Sequence, residues 1–461
     1  MKRYKIIVVL IGLLPIALIE GCQKFITVDP PVTQLVSSSV FESDQTALSA
    51  MNGIYGTLQG PDGFANGGTQ SVGFLTGLSS DELTNYYTYP DQIQFYQNAL
   101  NKNNNTLYNA FWVVPYNCIY DANSLLQGIS GSTKISSAVK RELTGEAKFI
   151  RAFCNFYLTN LFGNVPLITT TDYKVNANAF RANKDSVYSQ IIADLTDAQS
   201  LMAGDYSFSN GERIRPNSWA ATAMMARVYL YTGRWKDAEG QATAVINESD
   251  QYAMVSDLNQ VYLKNSNEAI WQLMPNAPGL NTNEGSVYIL TSEPVYATLS
   301  PELVNAFEPG DLRLQNWVAD TIIGLDTFYY SFKYKVKSSE TLTEYSMVLR
   351  LAEQYLIRAE ARINQDNLNG AMEDLNVIRE RAGLPLISIL DKSTLLSDVV
   401  HERQVELFTE WGHRWLDLKR TGRANSILSI IKADWQSTDT LFPIPQGEIQ
   451  KDVNLTQNPG Y

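Results

Sequence analysis

Between Leu349 and Gly383 the stretch LRLAEQYLIRAEARINQDNLNGAMEDLNVIRERAG carries one pattern twice. Leu349, Ala352, Leu356, Ala359 and Ile363 fall in steps of three, four or seven, which is one stripe on a helix. The segment Asp366 to Asn369, three polar residues and Leu368, interrupts it. A second stripe follows through Ala371 or Met372, Leu375, Ile378 and Ala382, and stops at Gly383 with Pro385 beyond. Two short amphipathic helices on a tight turn, with alanines where backbones approach, form a hairpin. Neither helix buries its stripe alone, so the rest of the chain must supply helices to stack on it.

A second hairpin lies in WAATAMMARVYLYTGRWKDAEGQATAVI, Trp219 to Ile246. Ala226, Tyr229, Gly233 and Ala238 have the small, aromatic, turn-glycine and small spacing of a tetratricopeptide repeat. A third is split, with one helix over 145–162 and its partner over 185–202 after an insertion of about twenty residues, long for a loop. The expected hairpin helices therefore lie near 145–162, 185–202, 219–247 and 349–382. No uninterrupted 34-residue period is present, so ordinary helix hairpins without repeat ancestry stay open. Both readings give a mainly α fold, tetratricopeptide-like hairpins forming one side, with loop-rich insertions near 62–105 and 266–345 and a few short strands.

Lys2, Arg3 and Lys5 precede the apolar run Ile6 to Ile19, followed by Glu20-Gly21-Cys22. Fourteen residues are too few to span a bilayer and fit a signal-peptide core. Leu18 to Cys22 resembles a lipoprotein processing site. The expected organisation is a signal peptide over 1–21, lipidated Cys22 with a Pro/Thr/Ser/Val tether to residue 40, and one domain over 41–461. Removing 1–21 leaves 33 basic against 47 acidic residues, a net charge of −14, which makes nucleic acid and anionic lipid surfaces poor partners. Cys118 and Cys154 read as buried apolar groups rather than a disulfide. With only His401 and His413 as histidines, a structural zinc site or a Cys–His nucleophile is not expected, and no cofactor is implied.

The candidate ligand site is a tyrosine cluster. Of 25 tyrosines, Tyr86, Tyr87, Tyr89 and Tyr96 crowd into eleven residues read as loop, a concentration that core packing does not need. Asp81, Asn85 and Asp91 lie beside them. Aromatic faces cover the C–H faces of sugar rings while carboxylates and amides bond the hydroxyls. The irregular segment from Pro275 to Ser300, with Tyr288 and Tyr296, is the candidate opposite wall. Trp317, Tyr329 and Tyr330 are weaker candidates, since Phe328 to Lys335 alternates with strand period. Glu402, Arg403, Glu406, Glu410, Arg414, Asp417 and Arg420 lie on an expected helix from Leu395 to Arg420. Their spacing favours structural ion pairs over general acid–base chemistry.

Four segments resemble the SusD/RagB family of nutrient-binding outer-membrane lipoproteins: Gly145–Ile168, Leu349–Ala361, ERQVELFTEWGHRWLDLKR (Glu402–Arg420) and LFPIPQGEIQKDVNLTQNPGY (Leu441–Tyr461). The resemblance implies four tetratricopeptide-like hairpins and a ligand site in the less regular chain. It also implies a SusC-like TonB-dependent transporter as partner, hence a cell-surface, non-enzymatic glycan-binding lipoprotein of the outer membrane. Many members read Glu-Gly-His-Arg where Trp411 intervenes here between Glu410 and Gly412. Capture of peptides or other nutrients, a ligand-free helical-repeat scaffold, and a glycoside hydrolase remain alternatives. The processing motif makes one prediction. Cys22→Ala should move the protein from the membrane fraction to the soluble one with its fold unchanged, as read by fractionation and circular dichroism without the transporter; a variant that still pellets with outer membranes contradicts it.

Overall fold

The computed structural model describes residues 40–276, 279 and 281–461. The signal peptide, Cys22 and all of the tether before residue 40 lie outside the described residues. Eight scaffold helices form four packed pairs: α1 (Asp44–Leu58) with α2 (Val114–Gly131), α3 (Ser137–Phe162) with α4 (Lys184–Leu201), α5 (Ser218–Tyr231) with α6 (Trp235–Ile246), and α7 (Leu351–Asn364) with α8 (Leu368–Arg381). Each pair also packs on the next. The three sequence-read hairpins are all present; the first pair escaped the sequence reading because residues 59–113 separate its helices.

In α7 and α8 the two stripes close a core of their own. Ala352, Leu356, Ala359, Ile363, Ala371, Leu375 and Ile378 are buried together with Leu395 and Val399. The turn is tighter than expected, with Asp366 at φ +62° and the Asn367 side chain accepting from Gly370 N as N-cap. Leu349 does not begin the helix: it lies in a strand, and α7 starts at Leu351. At the centre of the stack, the last fourteen residues of α3, Phe149 to Phe162, are buried on every side, as a helix enclosed by neighbours must be. Charged pairs join neighbouring helices at close range. Arg151 on α3 meets Asp194 on α4 at 2.6 Å, and Arg227 on α5 meets Glu353 on α7 at 2.6 Å. Cys118 and Cys154 are free and buried.

Pro115 shapes the start of α2. It has no N–H to return to the preceding turn, and the chain there opens into a π-helix, Leu107–Val113, before the α-helix begins.

Two long insertions interrupt the scaffold, residues 59–113 and 247–350. Their strands, in chain order, are β1 (Leu83–Asn85), β2 (Ala269–Leu273), β3 (Ala297–Leu299), β4 (Val318–Ile323), β5 (Asp326–Ser331) and β6 (Ser346–Arg350). All pair antiparallel: β2 with β6 at the root of the second insertion, β4 with β5 as a hairpin, and β1 with β3 across the two insertions. The first insertion is more regular than its composition suggests, with helices Val72–Ser79 and Pro90–Gln97 flanking β1. Strand β5 stops at Ser331 rather than Lys335, because the chain turns inward there to bury Lys333.

The last long helix is also broken. α9 (Lys392–Glu406) and α10 (His413–Arg420) are separated by six residues in which Thr409, Trp411 and Gly412 take φ of +57°, +47° and +71°. The aromatic inserted at position 411 sits in this break, with its indole N–H donating to Met347 O at 2.6 Å.

The α5–α6 turn gives the fold's prediction. Gly233 has φ +68°, and a side chain there meets no atom closer than 3.8 Å, so backbone conformation alone is at stake. Gly233→Val should destabilise by about 1–3 kcal/mol in denaturant melts; an unchanged midpoint would show that this turn carries no left-handed constraint.

Candidate functional site

The two insertions meet in the β1–β3 pair, with Leu83 opposite Leu299, Thr84 opposite Thr298 and Asn85 opposite Ala297. Beyond the last rung the N–H groups of Tyr86 and Tyr87 both donate to Tyr296 O, at 2.8 and 2.9 Å. Asn85 shapes the turn: its Nδ2 donates to Tyr87 O at 2.9 Å and its Oδ1 accepts from Tyr87 N. The segment read as a possible opposite wall is therefore hydrogen-bonded directly to the tyrosine cluster. The pairing could not be read from sequence, because three-residue strands have too few positions to show a period.

The rings then assemble. Tyr87 stands edge-on to Tyr296 with centroids 5.1 Å apart and stacks toward Tyr89 at 6.1 Å and 27° between planes. Tyr86 stands edge-on to Phe328 of β5 at 5.7 Å. These distances fall in the range where aromatic pairs attract. Tyr86 is 39 % and Tyr89 49 % exposed, while Tyr87, Tyr296 and Phe328 are half-buried supports. The product is an aromatic surface built from three separate stretches of chain. Phe328 was missed as a site residue, although its place in an alternating aromatic strand was visible.

Other candidates are corrected by the structure. Asp81 is buried and holds Arg414 of α10 with both oxygens, at 2.7 and 2.6 Å, so it positions β1 and does not face a ligand. Tyr288 is buried under Phe74, 6.2 Å between centroids, and offers no face. Trp317 is fully buried and donates to Leu258 O, and Tyr330 is buried too. Tyr329 is exposed but points to the side of β5 opposite Phe328. Tyr96 is half-buried, with Lys432 Nζ 3.9 Å from its ring centroid, so a cation already covers one of its faces. Asp91 accepts from Thr106 N at 2.9 Å and braces the loop that follows. Beside Asp81, burial and then the Asp81 charge push the Glu82 carboxyl up to about 8, which keeps it neutral at pH 7.

The charge series on α9 and α10 is a structural network, as its spacing suggested, but most of its bonds leave the helices. Glu402 takes Arg313 at 2.8 Å and Arg379 at 2.7 Å. Glu406 takes Arg350 at 2.6 Å, Arg313 at 3.2 Å and Arg381. Glu410 takes Arg350 at 2.8 Å, Lys333 and the Tyr262 hydroxyl. Arg403 pairs with Asp417 at 2.7 Å, and only Asp417–Arg420 is a pair within one helix. Burial alone would push Glu406 up, yet Arg381, Arg350 and Arg313 outweigh it and hold the group well below the usual carboxylate range. Every acid in the series is engaged by a cation, an arrangement for holding structure rather than moving protons. Glu308, His401 and Glu402 bring donor atoms within 4.8 Å of one another. Arg379 bonds both of those carboxylates and supplies the positive charge a metal would bring.

Comparison with known proteins agrees with this architecture. Residues 76–230 match the SusD-like family model described as starch-binding and associating with the outer membrane. SusD-like protein P25 of Formosa agariphila is 24 % identical, with 95 % of each chain covered, and a SusD-like protein of Bacteroides ovatus is 23 % identical over 94 % of this chain and 86 % of its own. Among solved structures, a SusD superfamily protein from Bacteroides vulgatus superposes with a TM-score of 0.80 at 22 % identity, covering 91 % of this chain and 99 % of its own. A laminarin-binding SusD-like protein gives 0.79 at 24 %, covering 91 % and 100 %. The family match over residues 76–230 and the full-length relatives make this chain similar to SusD-like proteins, and the solved structures show that it shares their helical fold.

Proposed function

We propose that this protein is a surface-exposed lipoprotein, anchored to the outer membrane through Cys22, that binds glycan without catalysis and passes it to a SusC-like TonB-dependent transporter. The observation that carries the binding reading is the joining of Tyr86, Tyr87, Tyr89, Tyr296 and Phe328 into one partly exposed aromatic surface. Similarity to SusD-like proteins supports the glycan class, the membrane and the partner. The signal and processing motif at residues 1–22 supports the anchor.

On this reading Tyr86 and Tyr89 are the stacking faces, Tyr87 sets their spacing, and Asn85 and Tyr296 hold the turn. Aromatic side chains suit the task because they offer a broad rigid face at little cost in rotamer freedom. A surface made of exposed faces suits a long polymer, which can lie across it without threading its ends into a cavity. Laminarin, the ligand of one structural neighbour, is a suitable first probe.

Tyr86→Ala and Tyr89→Ala should each weaken binding by about 1–3 kcal/mol with little change in melting temperature. Each variant is titrated by calorimetry against laminarin oligosaccharides, or against the strongest hit of a glycan array, with melts in parallel. Binding intact in both variants would place the site elsewhere; a lowered melting temperature in both would mark the rings as packing.

A further inference from the structure

At the far end of α3 lies a cavity of about 550 Å³ that shares no residue with the tyrosine surface. Its volume is in the range of small-molecule sites. It is bounded by the last turn of α3, the start of α4, α10 and the C-terminal tail, with Arg181, Lys184 and Lys419 in its wall. Among the described residues no aspartate or glutamate lines it. Acidic residues outnumber basic ones in this chain, 48 to 36, and among the described residues most buried cations elsewhere are matched to carboxylates, Arg213 and Lys432 donating instead to backbone carbonyls.

These three cations are not matched. Among the described residues none of them forms a salt bridge with a carboxylate, whereas Arg420, also in the wall, is engaged by Asp417 and Glu360. Arg181 spends its N–H groups on neutral acceptors, Asn164 O, Phe162 O, Asn458 Oδ1 and Thr456. Lys419 donates to one carbonyl, Asn160 O, and has further N–H bonds to give. Lys184 is exposed, its ammonium 5.5 Å from the Tyr188 ring centroid. Burial, with the Lys184 charge next, pushes Lys419 down to about 7. Two ammonium groups repelling each other over one cavity, with no acid between them, gain from an anion placed there.

We propose that this cavity is a second ligand site, separate from the aromatic surface, that binds an oxyanion through Lys184 and Lys419 in the positive field of Arg181. The hydroxyl of Thr159 and the amides of Asn160 and Asn164 share its wall, a polar lining suited to a ligand that carries hydroxyls beside its charge. The ligand class is the carboxylate or sulfate of an acidic sugar.

The test is calorimetric titration of the full mature chain with trigalacturonate, with sodium sulfate against sodium chloride of equal ionic strength, and with neutral maltotriose. Trigalacturonate binding, weakened about tenfold or more in both Lys419→Met and Lys184→Met, is the expected result. Because Lys184 is exposed, its variant reports binding without a folding defect. Sulfate binding with the same lysine dependence but no gain from the sugar would keep the oxyanion site and assign it to a free inorganic anion. No binding by either anion, equal binding of maltotriose, or affinity unchanged in both variants would overturn the proposal. Tyr89→Ala should retain the anion affinity, so failure of the aromatic site and failure of this one are separate results.

Discussion

The structure depends on a set of buried charges that hold one another in place. Glu402, Glu406 and Glu410 of α9 and its connector face Arg313, Lys333 and Arg350 from the second insertion and Arg379 and Arg381 from α8. Such a network adds little stability over a well-packed apolar core, since every charge was first taken out of water. Its effect lies in what happens when one member moves. A lost partner leaves a buried charge uncompensated at a cost of about 3–5 kcal/mol, so scaffold and insertion are confined to one arrangement. The left-handed residues Thr409, Trp411 and Gly412 belong to the same device, because they turn the chain between α9 and α10 so that Glu410 points inward and Arg414 reaches Asp81.

The tyrosine surface inherits its shape from that network. Asp81 ties the entry of β1 to α10, and two residues on, β1 pairs with β3 and fixes Tyr86 and Tyr87 on the Tyr296 carbonyl. Lys333 draws the chain after β5 inward, which sets the position of the hairpin that carries Phe328. Rings held by backbone bonds and by each other pay their ordering cost during folding, so little is left to pay on binding. The aromatic faces and the helical hairpins are thus two layers of one design, with the ion network between them.

Much of the scaffold was legible because helical periodicity survives in single sequences. The α5–α6 and α7–α8 hairpins declared themselves by apolar spacing, turn residues and terminal glycine. The α1–α2 pair did not, since its halves lie on either side of residues 59–113 and no local pattern joins them. The site was half legible. A cluster of tyrosines is visible as composition, but the partner strand is three residues long and more than two hundred residues away. Asp81 reads like its polar neighbours until Arg414 is seen against it. Trp317 and Tyr288 read as candidates because sequence distinguishes a buried aromatic from an exposed one only through periodicity, which irregular segments lack. The expected single helix from Leu395 to Arg420 failed where three consecutive demands, a buried Trp411, a left-handed Gly412 and an inward Glu410, outweigh helical propensity.

The Asp81–Arg414 contact, and through it the ion network, keeps the tyrosine segment in place. Hydrogen exchange of the Tyr86 and Tyr87 amides in Arg414→Leu tests it directly, because both amides are bonded to Tyr296 O in the intact protein. These amides should exchange faster in the variant while those of the α7–α8 hairpin, which has its own core, keep their protection. Unchanged protection at Tyr86 and Tyr87 would contradict it.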